Sequence, residues 1–144
     1  MSTIVSIQPT TAKSRPTKQR KLITSIFLWT LQVVLALMFL FAGSIKLFLP
    51  IQVLLAQMPL PLPELFVRFI AIAEVAGGLG LILPGLLRIR PALTPLAALG
   101  LVLDMIGATI YNLIGHQIGS ALTTVVLGLI CLVIAYGRRA YAAR

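Results

Sequence analysis

Glu64, Glu74 and Asp104 are the three acids of this 144-residue chain, and two of them lie deep inside long apolar runs. Glu74 is in the middle of ELFVRFIAIAEVAGGLGLIL (64–83), between Pro63 and Pro84, and Asp104 is near the centre of the run 92–114. A carboxylate at mid-bilayer depth costs about 2.5–3.5 kcal/mol on insertion scales, so it persists only where something compensates. Few other groups are able to do chemistry. Lys46 stands near the end of the first apolar run, Tyr111, Asn112 and His116 gather near the end of the third, and Cys131 is alone in the fourth. Two carboxyls close together in a low dielectric cannot both be ionised cheaply, so one would hold a proton. Lys46 or His116 reaching in from the rim would instead neutralise one charge. A protonated acid beside a basic rim suits proton transfer to a lipophilic, quinone-like or sterol-like ligand.

The elements that must position these groups follow from the apolar patterning. Hydrophobic residues make up 59% of the chain and charged ones 10%, far from the balance of soluble domains. The apolar runs 22–48, 64–83, 92–114 and 117–136 are each long enough for a helix to cross a hydrocarbon layer of about 30 Å. None carries the polar stripe of a soluble core helix. The expectation is an all-α integral membrane four-helix bundle, one domain over 22–136. A disordered basic tail, 1–21, would precede it and a short tail, 137–144, would follow.

The net charge of +9 is placed rather than spread. Lys13, Arg15, Lys18, Arg20 and Lys21 precede span 1, Arg88 and Arg90 join spans 2 and 3, and Arg138, Arg139 and Arg144 follow span 4. That asymmetry puts the N-terminus and C-terminus on the cytoplasmic side of a bacterial plasma membrane. The first run is too long for a signal peptide's apolar core and reads as an uncleaved anchor. No aromatic–basic platform accompanies the charge, which argues against nucleic acid as a partner. One cysteine excludes an internal disulfide, a C-x-x-C pair and a cysteine metal cluster, and no metal site is expected. No bis-His haem pair or flavin fingerprint is present, so no cofactor is identifiable, and electron transfer would need a bound quinone or a partner subunit.

Local spacing refines the picture. The connection IQVLLAQMPLPLP (51–63) is apolar and proline-broken, suited to a short helix in the outer interface or a lid on the bundle. Glu64 and Arg68, four apart at the start of span 2, form a rim ion pair. Arg68 and Glu74 are turned about 120° from each other around the helix, so Glu74 needs another partner. Lys46 either extends to the headgroups or pairs inside the bundle. Glu74 shares its face with Ala71, Gly77 and Gly78, and Asp104 shares its own with Gly100, Gly107, Ala108 and Tyr111. Small residues there admit a neighbouring helix closely. Both acids lie roughly 12–15 Å below the outer surface, so antiparallel spans 2 and 3 are able to bring them together.

Three short motifs in order, Phe39-x-x-x-Gly43-x-x-Lys46, Ala73-Glu74-Val75-Ala76-Gly77-Gly78 and Met105-Ile106-Gly107-Ala108, carry a resemblance to the DoxX-like family. It covers about 23–136. The resemblance implies a compact four-helix membrane bundle and, in members with assigned roles, quinone-linked sulfur oxidation or anchoring of an oxidoreductase or sulfurtransferase partner. Many relatives place a His after the Gly-Ala of span 3, where this chain has Tyr111 and Asn112, with His116 further on. Two functional readings follow. In one, Lys46, Glu74, Asp104, Tyr111, Asn112 and His116 form a polar pocket for a quinone-like or other lipophilic ligand within an oxidoreductase system. In the other, the chain is a non-catalytic anchor or assembly subunit whose acids only pack helices. A small transporter is a third class, and with four spans and no inverted repeat it would need a homo-oligomer.

Overall fold

The computed structural model describes residues 18–142. The expected disorder of the N-terminal tail falls, for residues 1–17, outside the described residues, as do the last two residues of the C-terminal tail. Five helices follow in order: α1 (Lys18–Phe48), α2 (Ile51–Gln57), α3 (Glu64–Leu86), α4 (Leu93–Ile114) and α5 (Ile118–Ala142). No strand occurs among the described residues. Four of the helices, all but α2, are long and apolar enough to cross a membrane.

The long helices form a ring in which α1 and α4 each pack against both α3 and α5. At its centre Leu35, Phe39, Leu81, Leu101, Met105 and Ile134 are buried, with Cys131 among them as a small apolar residue. The outer surface is also apolar: Leu37, Phe41, Phe69, Leu103 and Leu129 are all more than half exposed. A soluble monomer does not present such a continuous greasy surface, and here it is the face toward lipid.

Close approach between helices rests on glycine. A Cβ on Gly43 would come within 2.7 Å of Val75 Cγ2 and 2.9 Å of the Ala71 carbonyl oxygen, and one on Gly78 within 3.1 Å of the Ala36 carbonyl oxygen. These two contacts seat α1 against α3. Gly77 and Gly80 face the other way, toward Leu101 and Ala97 of α4. The glycines behind Glu74 thus serve two neighbours, and of the small residues expected on its face, Ala71 and Gly78 lie on its buried stripe while Gly77 does not.

The helix ends differ from the sequence expectation in ways with a physical cause. α1 begins at Lys18 rather than at residue 22. α3 passes through Pro84 to Leu86 instead of stopping at residue 83. Proline removes only its own donor and crowds one preceding carbonyl, and the side chain of Gln32 donates to the Leu81 carbonyl in that same turn. α5 continues through Arg138 and Arg139 to Ala142, so most of the expected C-terminal tail is helix. The α4–α5 connection is very tight: His116 adopts φ 56, and the Gln117 N–H donates back to the Asn112 carbonyl at 2.8 Å.

Candidate functional site

At the end of the bundle away from the termini, Lys46 in the last turn of α1 reaches sideways into the bundle. Its Nζ donates to Glu74 Oε1 at 2.5 Å. Glu74 is only 4% exposed. The pair is possible because Gly43, one turn before Lys46, lets α1 lie directly on the Ala71–Glu74 stripe. A buried carboxylate is tolerated when its counter-charge is held this close.

Next to the pair lies a cavity of about 570 Å³ between α1, α3 and α4. Lys46, Glu74, Asp104, Tyr111 and Asn112 all line it, together with Thr124. Its apolar wall includes Met38, Phe66, Phe69 and Leu103, whose side chains are also exposed on the lipid face. Glu74 Oε2 and Asp104 Oδ2 are buried and have no hydrogen-bond partner among the described residues. A buried acceptor left unpaired costs about 1–3 kcal/mol, so these two oxygens are acceptors suited to a donor entering the cavity. Gly107 also lines the cavity, and a Cβ there would meet nothing within 4 Å.

Tyr111 closes the end of the cavity farthest from Lys18. Its hydroxyl donates to the Leu60 carbonyl at 2.6 Å and accepts from the Leu60 N–H at 3.2 Å. Pro59 packs against Gly115, where a Cβ would come within 2.6 Å of it. The loop after α2 is thereby held over the cavity, with Met58 and Leu62 in the lining. Thr109 and Thr124 hydroxyls, 2.8 Å apart, tie α4 to α5 at a nearby level.

Two of the sequence candidates have other surroundings. His116 is exposed in the α4–α5 turn and is not part of the cavity wall. Its left-handed backbone is what the tight turn requires, and His tolerates that conformation better than most residues. Arg68 lies 4.0 Å from Glu64, so the rim pair is present at the limit of contact. Its shorter bonds go elsewhere: Nη1 donates to the Lys46 and Leu47 carbonyls at 2.6 Å each, and Nη2 to the Leu49 carbonyl at 3.3 Å. Arg68 therefore caps the C-terminal end of α1, where carbonyls have no helical partner.

Sequence reasoning missed a second polar cluster at the opposite end. Gln32, 1% exposed, donates through Nε2 to the Leu81 carbonyl at 2.6 Å and accepts at Oε1 from Arg138 Nε. The Arg138 guanidinium lies over the Trp29 ring, 5.3 Å from its centroid. The available signal was Gln32 itself, the one strongly polar side chain in the middle of span 1. Among the described residues no group of three His, Cys, Asp or Glu side chains is placed to hold a metal ion.

Four apolar helices around a buried ion pair and an acid-lined cavity define a small multi-pass membrane protein. The family model of the DoxX-like family matches residues 30–134, and the chain belongs to that family. No curated protein matches the chain. No solved structure matches it either.

Proposed function

We propose that the cavity beside Lys46 and Glu74 binds the polar head of a lipophilic, quinone-like ligand, and that the protein serves an oxidoreductase system in this way. The observation that carries the reading is the pair of unpartnered carboxylate oxygens, on Glu74 and Asp104, in the walls of one mostly apolar cavity. Its volume is in the range of small-ligand sites, which are mostly apolar with a few convergent polar groups. The fit to a quinone is chemical: the Lys46 ammonium is a donor for a ring carbonyl, and the two carboxylate oxygens are acceptors for ring hydroxyls. When bound, such a ring would supply two-electron redox chemistry that the side chains lack. The protein's own part would be to orient the head group, exclude water, and hold or accept a proton at Glu74 Oε2 or Asp104 Oδ2. The electron donor or acceptor would be a partner oxidoreductase or sulfurtransferase.

The placement of base supports an orientation with the termini, Arg88 and Arg90 in the cytoplasm of a bacterial plasma membrane, and the cavity toward the outer leaflet. A second reading has its own observation. The Lys46–Glu74 bond clamps α1 to α3, which is what an anchor subunit would require of these residues without any ligand.

Binding of a decyl-substituted benzoquinone to the purified protein separates the two. Asp104→Asn and Glu74→Gln should each weaken binding at least tenfold, with the helical content unchanged. Wild-type affinity in both variants would leave only the anchor reading.

A further inference from the structure

The end of the bundle that carries the termini contains a second cavity, of about 310 Å³, whose lining includes Gln32, Arg88, Thr94, Arg138 and Tyr141. Its chemistry is opposite to that of the first. All three acids of the chain are elsewhere: Glu74 and Asp104 line the other cavity, and Glu64 begins α3 at the far end. Two guanidinium groups line the second cavity and no carboxylate does.

Arg138 is prepared rather than loose. Gln32 accepts from its Nε, Trp29 lies against its face, and Gln32 is itself fixed by its bond to the Leu81 carbonyl. Held in this way, the guanidinium keeps a buried Nη2 that has no acceptor among the described residues. A partly desolvated guanidinium with a free N–H edge calls for an anion, and its planar fork suits phosphate oxygens. Arg88 adds a second cation at the exposed mouth of the cavity. Thr94, 4% exposed, lines its interior, and Tyr141 brings a phenol to the wall. A basic pocket between membrane helices at headgroup level is where a phospholipid phosphate is found.

We propose that this cavity is a phosphate-binding site, in which Arg138, half-buried with its Nη2 turned inward, is the anchor and Arg88 the cation at the mouth. The phosphate is presented by an anionic phospholipid or arrives as the free ion. The inference does not depend on what the other cavity binds.

The test is thermal unfolding of the full chain in an uncharged detergent, titrated in one arm with phosphatidylglycerol and in the other with inorganic phosphate. The wild type should gain thermal stability with lipid alone if the lipid is the source, and with phosphate as well if the free ion suffices. Arg88→Ala, on an exposed turn, should weaken the response about tenfold, the scale of one charge-assisted contact. Arg138→Gln should abolish it. Arg139→Ala removes the same charge at an exposed neighbouring position and should leave the response intact. No response in the wild type, an unchanged response in Arg88→Ala, or an equal loss in Arg139→Ala would each overturn the proposal. If Arg138→Gln does not fold, the comparison of Arg88→Ala with Arg139→Ala decides alone.

Discussion

Lys46 and Glu74, 28 residues apart in the chain, meet at 2.5 Å and join the last turn of α1 to the middle of α3. Removing one partner of a buried pair strands the other charge, at a cost of several kcal/mol when both are fully buried. Lys46 keeps 29% side-chain exposure, which softens the loss. Lys46→Met should therefore destabilise the protein by about 1–3 kcal/mol. Lys46→Met with Glu74→Gln should recover most of that loss. Reversible unfolding in mixed micelles measures both, and simple additivity of the two single changes would show that the pair is not coupled.

Arg68 tests which of its partners matters. Arg68→Ala leaves the Lys46, Leu47 and Leu49 carbonyls without their side-chain donor, and should cost about 1–3 kcal/mol. Glu64→Gln removes only an exposed 4.0 Å ion pair and should cost well under 1 kcal/mol, roughly the usual worth of such pairs. Arg68→Lys should not restore stability, because one ammonium does not span three carbonyls as a guanidinium fork does. The same unfolding measurement ranks the three variants.

Tyr111→Phe deletes one hydroxyl and with it both bonds to Leu60. The loop after α2 should then open more often. Amide hydrogen exchange at Leu60 should accelerate about five- to tenfold, corresponding to the loss of roughly 1–1.4 kcal/mol of local protection. Exchange at the buried amides of α3 should not change.

Glycine positions divide by what surrounds them. Gly43→Ala puts a methyl against the Ala71 carbonyl and Val75, so α1 and α3 must separate, at a cost of about 1–3 kcal/mol. Gly107→Ala meets nothing and should be neutral or stabilising by up to about 1 kcal/mol through helix propensity. Gly107→Leu should fill part of the cavity and reduce the quinone binding proposed for it while the bundle remains folded. Unfolding midpoints and binding isotherms together distinguish these outcomes.

How much of this was legible beforehand depends on whether the controlling interaction is local. The four spans are visible because each apolar run has the length of a membrane crossing. The inward direction of Glu74 is visible because Ala71 and Gly78 recur at helical spacing. Which helix faces that stripe is set by Gly43 meeting Val75, and no periodicity within one segment reports it. Arg68 shows the same limit. Its i,i+4 neighbour Glu64 is evident along the chain, yet its stronger acceptors are carbonyls of another helix, and every residue has a carbonyl. Along the sequence Arg138 is only positive charge beyond span 4, because its tie to Gln32 bridges 106 positions. His116 is exposed with a left-handed backbone, a conformation that its side-chain chemistry does not advertise.

The clasp between Tyr111 and Leu60 has one more consequence. With the loop held over the end of the cavity farthest from Lys18, and Phe66, Phe69 and Leu103 in its wall also exposed toward lipid, a ligand entering through that wall would come laterally. An occupant would arrive already dissolved in the bilayer and search in two dimensions. Its governing concentration would then be a mole fraction among lipids, not a molarity in water. Affinities compared across membranes should therefore scale with how the compound partitions, and diluting it with extra detergent or lipid should weaken binding without any change in the protein.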